Sequence, residues 1–372
     1  MNVRQTQRPM PRPTAAVEAI PPTTPFVGPE ELMRSVGRSD FVRLGANESS
    51  FGIAPGALAA MIAELPRLSW YGDPESLDLR DALAAKHRCL PSQVLVGAGI
   101  DDVMGLAVRA FVGAGGVAVA TRGTYPTFAY HVTGYGGTIA SVDYRADGAV
   151  DLDGLVERAA TVLPSLVYCA NPDNPGGRFH GREAMARFAR ALPPETLLLL
   201  DEAYADFVDE GELPDPEIDD RIVRLRTFSK AYGMAGARIG YALASERNAS
   251  IFQKIRLQYG VNRNAQIGAL ASMRDATFHR WVLEQTAAAR DDYYALARRL
   301  GLGYIESRTN FVCFDLETVE RANAAVALLL ERGVWIRKPG LPPLDRFVRV
   351  SAGTPPMREA FADAFAGVLE TL

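Results

Sequence analysis

Seven short runs that are apolar on both faces recur between residues 93 and 244, and segments of helical spacing separate them. The runs are QVLVG (93–97), GVAVAT (116–121), TIASVDY (138–144), SLVYCA (165–170), TLLLLD (196–201), RIVRLRT (221–227) and RIGYALA (238–244). A strand with one wet face alternates apolar and polar residues, so a continuous run marks a strand covered on both sides. Segments such as SLDLRDALAAKHR (76–88) and DDVMGLAVRAFVG (101–113) carry apolar residues at helical spacing. The alternation predicts an α/β domain with a mostly parallel seven-stranded sheet and helices on each side. From residue 276 the order changes to one long helical stretch, then strand-like NFVCFDL, a helix through 318–332, VWIRK, FVRVS and a final amphipathic helix. That order predicts a smaller α+β domain. The expected organisation is a flexible arm (1–25), an N-terminal part of the small domain (26–50), a large domain (51–275) and the small C-terminal domain (276–372). No internal repeat is present.

The arm holds six prolines within its first 25 residues and no apolar signal core. It is expected to be extended, disordered alone or laid along a partner subunit. No run of 18 apolar residues occurs, so a membrane span is not expected, and the cytoplasm is the default location. A formal net charge of −4 without a sustained Lys/Arg block argues against a nucleic-acid partner. Cys89, Cys169 and Cys313 are far apart, with no CxxC pair and no matching histidine spacing. They indicate neither a disulfide framework nor a metal site.

In open parallel sheets, ligands sit outside the carboxyl ends of the strands. The turns there are unusual. GAGIDD (97–102) is either a Gly-rich turn with an Asp cap or an anion site at a helix N-terminus. NPDNPGG (171–177) fixes an irregular loop with two asparagines. Asp201 ends a run of four leucines, where a carboxylate is either a cap or buried against a cation. Lys230 follows the sixth strand, and Arg238 lies eight residues further on with no acidic neighbour in sequence. A buried acid, an asparagine, a tyrosine, a lysine and an anion cradle form an inventory that suits pyridoxal phosphate.

The segments RLGANESSFG, WYGDPES, GAGIDD, GTYPTF, NPDNPGG, DEAYADF, RTFSKAYGMAGARIGY, SRTNFV and VRVSAGT occur in that order between residues 43 and 355. Together they resemble the class I/II aminotransferases of the fold-type I pyridoxal-phosphate superfamily, most closely the histidinol-phosphate aminotransferases. The resemblance implies that Lys230 forms the covalent link to the cofactor and shuttles the α-proton. It implies that Asp201 pairs with the ring nitrogen, that Asn174 and Tyr204 bond the ring oxygen, and that Tyr125 stacks on the ring. Ile100 and Asp101 backbone N–H groups, with Thr227, Ser229 and Arg238, would hold the phosphate. Tyr71 would reach that phosphate from the partner subunit of a homodimer with shared sites. Arg349 resembles the arginine that grips a substrate carboxylate or phosphate. The expected reaction is a ping-pong exchange between an amino donor and a 2-oxo acid such as 2-oxoglutarate.

Some assignments stay open in the sequence. Tyr125 and Phe128 can exchange roles around the proline of GTYPTF, Arg337 is a second anion contact or a strand end, and Tyr259 lines the pocket or the core. The family commonly has a tyrosine where TPFVGPE carries Phe26, threonine where NPDNPGG has glycine, and glutamate where GAGIDD has aspartate. Phe26 removes one hydroxyl near a phosphorylated donor, which brings in an aromatic or other amino-acid aminotransferase as a second reading. A decarboxylase resembling threonine-phosphate decarboxylase would use the same lysine and aspartate. A fold-borrowing regulator would need a DNA-binding domain, and only about 40 proline-rich residues precede the match.

Overall fold

The computed structural model describes residues 11–20, 27–37, 40–214 and 219–372. All seven expected strands form and join one sheet: β1 (Val94–Gly97), β2 (Val117–Thr121), β3 (Thr138–Val142), β4 (Leu166–Ala170), β5 (Leu197–Asp201), β6 (Ile222–Thr227) and β7 (Gly240–Leu243). Their order is β1-β7-β6-β5-β4-β2-β3, and only β7 runs antiparallel to its neighbours. Burial on both faces follows from the side-chain alternation. Leu197 and Leu199 face one apolar core with Val103, Met104 and Val108, while Leu198 and Leu200 face another with Leu155, Met185 and Phe188.

Helix α1 (Leu77–His87) precedes β1, and α2 (Ile100–Phe111) leaves its carboxyl end. Helix α3 (Pro126–Gly134) starts directly after Tyr125, with proline at its first position, where a missing N–H costs nothing. The long α4 (Ala276–Arg299) is capped by the Asp275 side chain, which accepts from Phe278 N–H at 3.0 Å. It leads into a three-stranded antiparallel sheet of Tyr304–Ile305, Phe311–Asp315 and Phe347–Ser351. That sheet packs on helices Val319–Glu331 and Pro355–Leu369 through Phe314, Val348, Val350, Phe361 and Phe365. The short strand Val42–Arg43 pairs in parallel with Val334–Trp335, so a segment early in the chain completes this second unit.

Two local features differ from expectation. VWIRK yields only the two-residue strand Val334–Trp335, followed by an isolated bridge between Arg337 and Arg349. In the arm, the proline-free stretch Ala15–Glu18 makes one helical turn, because the Thr14 side chain accepts from Val17 N–H at 3.5 Å. Phe26 lies outside the described residues. No helix among the described residues is long and apolar enough to cross a membrane, and none of their His, Cys, Asp and Glu side chains cluster to hold a metal.

Candidate active site

Loops at the carboxyl ends of β1 and β6 and at the amino end of the antiparallel β7, which lies at the same edge of the sheet, build the anion end of the site. The turn after β1 passes through Gly99 at φ +87°, a conformation that side chains disfavour. A Cβ there would also stand 2.6 Å from Arg238 Nη2, so glycine lets the guanidinium reach the start of α2. The backbone N–H groups of that first turn, those of Ile100 and Asp101 among them, have no intrahelical partners and carry the positive end of the helix dipole. Gly240 brings β7 close to the same point, where a Cβ would meet Ile100 N at 2.8 Å. Arg238, itself left-handed at φ 57°, donates to Asp101 Oδ2 at 3.2 Å. Asp101 Oδ1 is buried without a partner. Thr227 ends β6, its hydroxyl oxygen accepts from Ser229 N–H at 3.0 Å, and both residues are buried.

The middle of the site is built on β4, β5 and the loops that follow. Asp201 is 4% exposed. Its Oδ2 accepts from the Tyr168 hydroxyl at 2.7 Å and its Oδ1 from Ala203 N–H at 2.9 Å. Burial pushes its carboxyl up to about 6 against these two donors. Among the described residues no cation lies within ion-pair distance of it, although the Lys230 charge acts on it from further away. Lys230 donates to Asn47 O at 3.1 Å, and its Nζ lies 5.6 Å from the centre of the Tyr204 ring. Burial first, and then the nearby Arg349, lower the Lys230 amine to about 8. Tyr204 accepts from Asn47 Nδ2 at 3.0 Å, and burial raises its hydroxyl to about 12. Tyr125 is half-buried, and its hydroxyl, raised mainly by burial, faces Asp101. Phe128 is fully buried and stacked on Tyr168 at 4.6 Å, which makes it a core residue.

Arg349 projects from the small domain into the same space. Its Nη1 donates to Asn174 Oδ1 at 2.6 Å and its Nη2 to Gly45 O at 3.4 Å, while Nε is buried without a partner. Arg337 is brought beside Arg349 by their backbone bridge, stacks over Trp335 and donates to Val27 O at 2.8 Å. Twelve of the fourteen expected site residues therefore gather around Lys230 and the N-terminus of α2.

Tyr71 and Tyr259 do not. They are 76% and 54% exposed and stack on each other with ring centres 4.4 Å apart. Tyr259 is accordingly not a core residue, and within one chain neither ring reaches the Lys230 pocket.

The structure adds residues that the sequence did not single out. Asn47, 2% exposed and left-handed at φ 54°, links Lys230 and Tyr204 to Ser351 and Asn310 of the small domain. Its place in RLGANESSFG was the only signal. Tyr168 orients Asp201 from the neighbouring strand, which no local pattern announces. Glu202, next to Asp201 but on the other sheet face, ion-pairs with Arg224 and Arg226 at 2.8 Å each. Burial would raise its carboxyl, yet the two guanidiniums prevail and hold it down at about 2. The two arginines spaced by one residue in RIVRLRT, on a strand read as buried, were the available sign of such a partner.

A mostly parallel sheet with a depressed lysine, a buried acid and an anion cradle at its carboxyl edge defines a class of lysine-dependent enzyme built around an anionic cofactor. The chain belongs to the aminotransferase class I and II family, whose model matches residues 39–365, and is a pyridoxal-phosphate-dependent aminotransferase. It is similar to the histidinol-phosphate aminotransferase of Sinorhizobium meliloti, solved in complex with pyridoxal-5'-phosphate. The TM-score is 0.94 at 40% identity, covering 98% of this chain and 99% of that one. It is 31% identical over 362 residues to histidinol-phosphate aminotransferase 2 of Carboxydothermus hydrogenoformans, covering 96% and 99% of the two chains. Histidinol-phosphate aminotransferase 2 of Pseudomonas aeruginosa is 33% identical over 364 residues, covering 95% and 96%.

Proposed function

We propose that this chain is a cytoplasmic homodimeric transaminase that takes the amino group of L-histidinol phosphate and passes it to a 2-oxo acid such as 2-oxoglutarate. The observation that carries the reading is Arg349, a guanidinium aimed into the Lys230 pocket with its buried Nε unpaired and Arg337 beside it. Such a pair suits the phosphate of one substrate and the carboxylate of the other in turn.

The donor set fits pyridoxal phosphate. The side-chain-free turn at Gly99 leaves room for an anion at the first N–H groups of α2, with Arg238, Thr227 and Ser229 around it. Asp201 is a buried carboxylate with no ion-pair partner among the described residues, as expected of one that meets a protonated ring nitrogen. When bound, the cofactor supplies an aldehyde that accepts the amino group and a ring that takes up electrons from the α-carbon. Lys230 anchors it, and its Nζ, lowered to about 8, takes the proton from the substrate α-carbon and returns it. Asp201, held in aim by Tyr168 and Ala203 N–H, would keep the ring nitrogen protonated. Asn174 and Tyr204 would donate to the ring oxygen, Tyr125 would cover the ring, and Arg349 would orient the substrate.

The dimer reading is supported by an exposed apolar ridge that includes Ile62, Leu65, Leu68, Trp70 and Leu257 beside Tyr71 and Tyr259. In a dimer, Tyr71 would complete the partner's phosphate cradle, and Tyr259 would line the partner's pocket. Sharing predicts complementation. In heterodimers of Lys230→Ala and Tyr71→Ala chains, one site collects both lesions and the other is intact, so activity well above either homodimer is expected. Heterodimers no more active than the Tyr71→Ala homodimer would contradict it.

The donor is tested by single turnovers. Purified enzyme loaded with pyridoxal phosphate is mixed with one amino donor at a time, and conversion to pyridoxamine phosphate is followed by absorbance. Fastest conversion by L-histidinol phosphate is expected. Faster conversion by phenylalanine, tyrosine or another unphosphorylated donor would replace this donor with the second reading.

A further inference from the structure

The NPDNPGG loop contains an acid that the reading above does not use. Asp173 is 2% exposed. Its Oδ1 accepts from the Tyr144 hydroxyl at 3.0 Å and its Oδ2 from Gly176 N–H at 2.8 Å, and the Asn174 N–H also bonds it. The backbone closes around it, with Asp173 N–H donating to Arg178 O at 2.8 Å and Gly177 N–H to Asp173 O at 3.0 Å. At the base of the loop, Asn171 exchanges two 2.8 Å hydrogen bonds with the backbone of His180. The apex left by these anchors is Asn174, whose side chain meets Arg349.

A buried carboxylate without a cation is costly, and among the described residues Asp173 has no ion pair. Asparagine would fill nearly the same space without that cost. What it would lack is a second acceptor oxygen, because the amide replaces one oxygen by donors. Gly176 belongs to the same device. A Cβ there would stand 2.8 Å from Gly148 O and 3.1 Å from Asp173 Oδ2, so the threonine common in the family does not fit beside this carboxylate.

We propose that Asp173 is a positioning residue for substrate recognition, fixing the loop so that Asn174 holds Arg349 in the orientation that grips the substrate's anionic group. The proposal rests on the reading of Arg349 as the substrate clamp. Burial pushes the Asp173 carboxyl up to about 7, so it loses acceptor capacity as pH falls through neutrality. The other titratable groups facing it are Tyr144, Tyr168 and Cys169 of β4, Asp201 of β5, Tyr204, and Cys313 of the small sheet. Burial raises the three tyrosines and both thiols and keeps them neutral, which leaves Asp201, at about 6, as the other group that titrates nearby.

The test is calorimetric binding of maleate, an unreactive dicarboxylate, to the cofactor-loaded enzyme at pH 8 and pH 6. Asp173→Asn is expected to weaken binding about tenfold at pH 8. Its affinity should fall less between pH 8 and pH 6 than that of the wild type. Tyr144→Phe, which removes one donor to the carboxylate, should weaken binding by a smaller factor. In steady state, both variants should raise KM more than they lower kcat, because Arg349 binds substrate before and during the reaction alike. A folded Asp173→Asn protein with wild-type maleate affinity would overturn the proposal. If that variant does not fold, wild-type affinity in Tyr144→Phe would do so. Arg349→Gln separates the two levels. Weakened binding there with none in Asp173→Asn removes only the positioning role, whereas wild-type binding in Arg349→Gln removes the clamp reading and this proposal with it.

Discussion

Replacing Lys230 with alanine is expected to abolish the covalent attachment of the cofactor and to lower turnover by on the order of 10⁴-fold or more. That is the upper range for one acid–base group. The fold should survive, because the side chain contributes a single hydrogen bond, to Asn47 O, and Asn310 Nδ2 also donates to that oxygen at 3.0 Å. The chain has four lysines, and only this one lies at the carboxyl edge of the sheet near Asp201. Lys86 bonds the Tyr232 hydroxyl, Lys338 bonds Asp345 O, and Lys254 caps the helix Glu246–Gln253. The depressed amine gives the prediction a pH signature. Below about 8 it is an ammonium and cannot attack the cofactor aldehyde, so loading of the apoenzyme should accelerate as pH rises through that value. Wild-type turnover in a folded Lys230→Ala protein, measured by amino-group transfer to 2-oxoglutarate, would remove the lysine from its central place.

The second large effect is expected at Asp201. Asparagine keeps the size and the bond from Ala203 N–H but loses the negative charge that holds a proton on the ring nitrogen. Turnover should fall by about 10²–10³-fold, the magnitude seen when one preorganised electrostatic partner is lost. The bound cofactor should also lose its proton at lower pH than in the wild type, which a pH titration of its absorbance records. Burial raises the free carboxyl to about 6, and a cation placed against it opposes that rise. Cofactor binding by the wild type should therefore weaken as pH falls below about 6, while Asp201→Asn shows no such limb. An Asp201→Asn enzyme with unchanged turnover and an unchanged titration would contradict the assignment.

Much of this arrangement was legible in the sequence because burial writes itself into composition. LLLL before Asp201 and VAVA in β2 are apolar on both faces, and the sheet covers both faces. The direction of β7 was not legible, since a four-residue apolar strand reads the same parallel or antiparallel. RIVRLRT shows a different limit. It was read as a buried strand and is one, but two buried arginines are tolerated because Glu202 of the neighbouring strand end ion-pairs with both and Asp206 adds a second negative charge near Arg226. Asn47 escaped notice for a related reason, as its partners lie between 157 and 304 residues away. Tyr71 and Tyr259 mark the edge of what one chain can display, because exposed rings acquire a role only when a second surface covers them.

The most direct test of the account is to locate the cofactor's attachment. Protein loaded with pyridoxal phosphate would be reduced with borohydride, digested and mapped by mass spectrometry. The account predicts the phosphopyridoxyl group on the peptide that contains Lys230 and on no other. Stoichiometric label at Lys86, Lys254 or Lys338, or an unlabelled chain, would contradict it.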